Sequence, residues 1–93
     1  MKKIMIVEDD EVIKDELSEL LKNSSYLVES VKNFEKAKEE IFKYNPDLIL
    51  LDINIPYLNG ELLLKEIRKE SSVPVIMVTS KSGEIDEALS ITY

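Results

Sequence analysis

The sequence contains no cysteine and no histidine. A thiolate nucleophile, a disulfide framework and a Cys/His zinc site are therefore excluded, and any metal must be held by oxygen. Glycine and proline are scarce, two and three in 93 residues, and no linker, low-complexity tract or internal repeat separates one part of the chain from another. No apolar run approaches the roughly 20 residues of a membrane span. The opening MKKIMIVEDD has two lysines and a short apolar run before acid begins, which falls short of a secretory signal. The expected location is cytoplasmic, with no membrane contact. Positive charge is also in the minority: 12 Lys and Arg face 19 Asp and Glu, a net charge of -7. Such a chain is by itself a poor ligand for the nucleic-acid phosphate backbone, so contact with DNA would require another segment.

What is present suits one small domain spanning residues 1–93, with 44% hydrophobic residues sharing a single core. Lys3 to Val7 reads as a central strand, followed by Glu8, Asp9 and Asp10 and then a helix whose Ile13, Leu17, Leu20 and Leu21 share a face. Tyr26 to Val31 suits a second strand nearer the sheet edge. Phe34, Ala37 and Ile41 mark a second helix, which Asn45 and Pro46 end because the residue before proline is pushed out of the α region. Leu48 to Leu51 is strand three. Pro56 to Gly60 is a turn-rich loop, Leu63 and Ile67 mark a third helix, and Pro74 to Thr79 makes strand four. Lys81 to Gly83 reads as a loop, and Glu84 to Tyr93 is expected to begin a fourth helix. Strands that are nearly unbroken apolar runs, alternating with helices, imply a doubly wound parallel sheet covered on both faces.

Right-handed crossovers place the C-terminal ends of such strands on one edge. Strand one ends in Glu8 and Asp9, strand three in Asp52, and strand four in Thr79 and Ser80, so oxygen-bearing side chains converge there. Two carboxylates about 4 Å apart repel by roughly 4 kcal/mol at an effective dielectric near 20. A hard cation, magnesium or manganese, relieves that repulsion and commonly bridges carboxylates to phosphate. Plainer roles also suit these residues one at a time. Asp9 and Asp10 are good helix caps, Asn54 suits a turn before Pro56, Thr79 is an ordinary strand residue, and Lys81 is a solvated loop charge. Met5 and Met77 read as core fillers. Capping leaves Asp52, at the end of a different strand, unexplained.

The segments IMIVEDDE, DLILLDINIPYLNGELLLKEIR and VPVIMVTS, in this order, resemble the receiver domain of two-component response regulators. The resemblance covers essentially the whole chain, and the Glu-Asp acidic pair is similar to that of the OmpR/PhoB type. It implies a flavodoxin-like, CheY-like (βα)5 fold, of which four strands and part of a fourth helix lie within these residues. It also implies that Asp52 accepts a phosphoryl group from a phosphohistidine on a sensor histidine kinase, and that magnesium is held by Glu8, Asp9, Asp52 and the backbone carbonyl of Asn54. Thr79 would be the switch hydroxyl, with Ser80 a secondary candidate. The chain would then be a phosphoacceptor that catalyses only its own phosphorylation and dephosphorylation, and it would regulate transcription through a winged-helix DNA-binding domain lying elsewhere. Receivers continue into a strand with an aromatic switch residue, a Lys-Pro loop and a fifth helix, none of which is found in these 93 residues. The domain is accordingly expected to be C-terminally incomplete, with strand four as an open edge and part of one sheet face uncovered, either of which favours self-association. Other readings are a pseudo-receiver that only binds partners, a haloacid dehalogenase-type phosphatase and a flavodoxin-like nucleotide binder. The phosphatase wants a second Asp where Asn54 stands, and the nucleotide binder would have its phosphate repelled by Glu8 and Asp9.

Overall fold

The computed structural model describes residues 1–78 and, as a strand, residues 89–92. Five strands form one sheet in the order β2-β1-β3-β4-β5. The strands are β1 (Lys3–Val7), β2 (Leu27–Ser30), β3 (Leu48–Asp52), β4 (Val75–Val78) and β5 (Leu89–Thr92). The first four run parallel, with Ile4 opposite Leu48, Val7 opposite Leu51, and Asp52 opposite Val78. Among the described residues, three α-helices, α1 (Glu11–Asn23), α2 (Ala37–Tyr44) and α3 (Gly60–Arg68), and a 3-10 turn at Phe34–Lys36 connect the strands.

Alternation along the strands divides the sheet into two faces. Met5, Val7, Ile49, Leu51 and Val75 form one buried cluster with Ala37 and Ile41 of α2 and Leu63 and Ile67 of α3. Ile4 and Ile6 point the other way and are also buried. The helix α1 carries no fully buried residue: Ile13, Leu17 and Leu21 are half-buried, and Leu20, expected on the same stripe, is 61% exposed at its flank. As expected, α2 ends at Asn45, which takes a left-handed conformation at φ 55° immediately before Pro46.

The C-terminal stretch differs from its expectation. Residues 89–92 do not continue a fourth helix; they form β5, antiparallel to β4, with Val78 opposite Leu89 and Val75 opposite Thr92. The β-branched Ile91 and Thr92 favour a strand, and pairing satisfies backbone groups that β4 would otherwise expose. Strand four is therefore not the open edge anticipated. The rest of the expected helix, residues 84–88 and 93, lies outside the described residues, as do Thr79, Ser80 and the loop from Lys81 to Gly83.

Candidate functional site

Adjacent parallel strands bring the acids together. β1 and β3 are hydrogen-bonded neighbours in register, so Glu8 and Asp9, just past the end of β1, arrive beside Asp52, the last residue of β3. Glu8, Asp9 and Asp52 each place a carboxylate oxygen within 4.8 Å of the others. Glu8 and Asp52 are only 3% and 2% exposed. The Asp52 Oδ1 accepts the Asn54 N–H at 2.9 Å, and Glu8 Oε2 accepts the Asp10 N–H at 3.1 Å. The Ile53 N–H donates to the Val78 carbonyl at 3.0 Å, tying the exit from β3 to the end of β4.

Neighbouring Asp9 and Asp10 are told apart by this geometry. Asp10 caps α1, its Oδ1 accepting the N–H groups of Val12 at 3.0 Å and Ile13 at 3.2 Å, whereas Asp9 joins the cluster. Asp10→Ala should cost about 1 kcal/mol of stability, the usual value of such a cap. In urea unfolding its midpoint should fall while magnesium affinity changes far less than in Asp9→Asn, whose midpoint should stay near the parent's.

Burial, foremost, pushes the Glu8 carboxyl from 4.5 up to about 7. The Asp10 N–H opposes the shift, while a hydrogen bond with Asp52 and the charges of Asp52 and Asp9 add to it. A carboxyl whose folded-state pKa is raised binds its proton more tightly folded than unfolded, so stability falls as that proton is lost. In chelator, the melting temperature should decline as the pH rises from 4.5 to about 7, and Glu8→Gln should flatten that decline. A parent and variant with parallel profiles would contradict the assignment.

Other expectations meet a mixed outcome. Asn54 is half-buried beside the cluster, and its N–H bonds Asp52. Val78 places the end of β4 opposite Asp52, but Thr79 and Ser80 themselves lie outside the described residues. Two features of the loop after β3 escaped the sequence reading. Tyr57, 66% exposed, meets Phe34 edge-on with centroids 5.6 Å apart, and Gly60 is buried against the backbone of residues 52 and 53. The sequence signal for the second is a glycine at the first helical position, directly after the cap residue Asn59.

The family model for the response regulator receiver domain matches residues 4–92. The chain belongs to that family. It is a signalling domain, and phosphotransfer from a histidine kinase is the function of the receiver family. The sensory transduction protein BceR of Halalkalibacterium halodurans is 40% identical over 91 residues, covering 98% of this chain and 39% of that protein. The chain thus spans about two fifths of the length of that curated relative. Among solved structures, the N-terminal domain of the nisin resistance regulator NsrR, a lantibiotic response regulator, superposes with TM-score 0.82. It is 45% identical, with 94% of this chain and 74% of that one covered. The response regulator TrrA, solved in complex with the histidine kinase ThkA, gives TM-score 0.77 at 34% identity, covering 90% of this receiver and 73% of that chain. Among the described residues of the receiver, no helix is long and apolar enough to cross a membrane.

Proposed function

We propose that this receiver takes a phosphoryl group on Asp52, with Glu8, Asp9, Asp52 and the Asn54 backbone carbonyl holding magnesium or manganese. The observation that carries the reading is the convergence of Glu8, Asp9 and Asp52 within 4.8 Å at the C-terminal edge of the sheet. The donor set fits the ion. All three side chains offer hard oxygen, and carboxylates this close together favour a cation among them. When bound, the ion would neutralise oxygens of the phosphoryl group. The chain's own contribution is to present the Asp52 carboxylate, with Oδ1 oriented by the Asn54 N–H. A carboxylate oxygen then forms a bond to phosphorus as the donor's bond to phosphorus breaks, and the product is an acyl phosphate.

Thr79 is the proposed switch hydroxyl, with Ser80 second, since both directly follow a strand whose last residue pairs with Asp52. The partner is a sensor histidine kinase, in keeping with the complex of TrrA with ThkA, and the setting is the cytoplasm. In the whole protein a winged-helix domain would carry the signal to promoter DNA. Self-association belongs to this proposal through the second of its two expected surfaces. With β4 paired to β5, the candidate surface is the sheet face on the side of α1, where Leu50 and Ile76 are half-buried.

Incubation with magnesium and acetyl phosphate tests the reading. A receiver gains a hydroxylamine-sensitive phosphoryl group, a phosphatase turns the donor over continuously, and a pseudo-receiver does neither.

A further inference from the structure

At the edge of the sheet opposite β5 lies β2, and no described strand lies beyond it. Its bonds to β1 fix which backbone groups face out. The Leu27 N–H donates to the Lys2 carbonyl and the Val31 N–H to the Ile6 carbonyl, both at 3.0 Å. By alternation, Leu27, Glu29 and Val31 bond inward, while Val28 and Ser30 turn both N–H and carbonyl outward. The Tyr26 carbonyl also faces out, but its N–H is taken by the Leu21 carbonyl at 3.1 Å. Beside these groups Leu27 is 45% and Tyr26 37% exposed. An edge with free backbone groups and apolar side chains is a template for another strand.

The same residues restrict how a second copy can pair antiparallel about a two-fold axis. Centred on Glu29, the pairing sets one Glu29 against the other with Cα atoms about 4.5 Å apart, a like-charge pair that sheets disfavour. Centred on Ser30, it must run straight through Lys32, where the chain bends and the N–H is held by Glu40 Oε1 at 2.9 Å. Centred on Tyr26 or Leu27, it meets Ser25, whose left-handed φ of 73° interrupts the extended chain. Centred on Val28, the pairing is continuous from Tyr26 to Ser30. Each Val28 N–H then reaches the other Val28 carbonyl, each Ser30 N–H reaches a Tyr26 carbonyl, and Leu27 faces Glu29. Glu29 brings its own counter-charge, the Lys32 ammonium at 3.3 Å.

We propose that β2 is a self-pairing edge: two copies of this chain join antiparallel about a two-fold axis at Val28, forming one continuous sheet. The contact is separate from the sheet face around Leu50 and Ile76 and does not depend on the phosphoacceptor reading. So short an edge makes a weak dimer. Because each copy carries a net charge of -7, salt should strengthen it by screening.

Sedimentation of the whole chain from micromolar to millimolar concentration is the test. Leu27→Glu sets a second glutamate against Glu29 in both halves of the contact and should raise the dissociation constant about tenfold. The double variant Leu27→Glu, Glu29→Lys sets glutamate against lysine and should restore association, whereas a pairing centred on Leu27 or Glu29 would still oppose like charges. Val28→Pro removes the central N–H without touching a bond to β1 and should abolish the dimer; if it does not fold, the charge variants decide. In samples mixing labelled and unlabelled chains, NMR should detect the Leu27 α-proton of one copy beside the Glu29 α-proton of the other. A chain that stays monomeric throughout overturns the proposal. So does a dimer that Leu27→Glu and Val28→Pro leave intact, which would place self-association on the sheet face instead.

Discussion

Asp52→Asn should reduce hydroxylamine-sensitive phosphoryl uptake from acetyl phosphate to background. Asparagine keeps an oxygen able to accept the Asn54 N–H, as Asp52 Oδ1 does at 2.9 Å, so the local fold should persist. The amide is uncharged and a far weaker nucleophile toward phosphorus. Loss of label in a folded variant therefore isolates the chemistry from the structure. Glu8 and Asp9 remain nearby and are the natural alternative acceptors. Label that persists in Asp52→Asn at the parent's rate would transfer the role to one of them and overturn the assignment.

Removing the same carboxylate should raise stability when no metal is present. Asp52 is 2% exposed beside the buried Glu8 and beside Asp9, so truncating it removes one of three crowded carboxylates. In chelator at neutral pH, Asp52→Ala should gain on the order of 1 kcal/mol, the scale common when a functional strain is relieved, equivalent to roughly 4–8 °C in melting temperature for a domain of this size. The gain is partly offset, because alanine deprives the Asn54 N–H of an acceptor; Asp52→Asn keeps one and should be the more stable of the two. Magnesium should bind more weakly to both, and added magnesium should stabilise the parent more than either variant. A metal-free Asp52→Asn protein that melts below the parent would show that the cluster does not destabilise the fold.

The parallel sheet was legible because its central strands, β1 and β3, are short apolar runs ended by acid. Strand order and crossover handedness then suffice to bring Glu8 and Asp52 to one edge without any knowledge of side-chain packing. The division of labour between Asp9 and Asp10 was not legible, since either residue type can cap a helix and only the direction of the chain after β1 decides which one does. The fate of residues 89–92 was missed because the acids and Ala88 just before them suit a helix, while the preference of Ile91 and Thr92 for a strand is realised only where an unpaired edge is within reach. Gly60 was missed for a similar reason. Its contact is with a backbone seven residues earlier, and the one local sign of it is a glycine directly after the cap residue Asn59.

Because α1 anchors itself with half-buried side chains only, it belongs to a lower tier of local stability than β1 and β3, whose residues fill the core. Elements with few buried apolar contacts open to solvent on their own, without global unfolding. Such a local opening would not leave the acidic pocket untouched. The backbone N–H of Asp10, the cap of α1, is bonded to Glu8, and that bond favours the charged form of Glu8. Fraying of the first turn of α1 would therefore leave Glu8 holding its proton more tightly, so a surface helix outside the core tunes the charge available at the sheet edge.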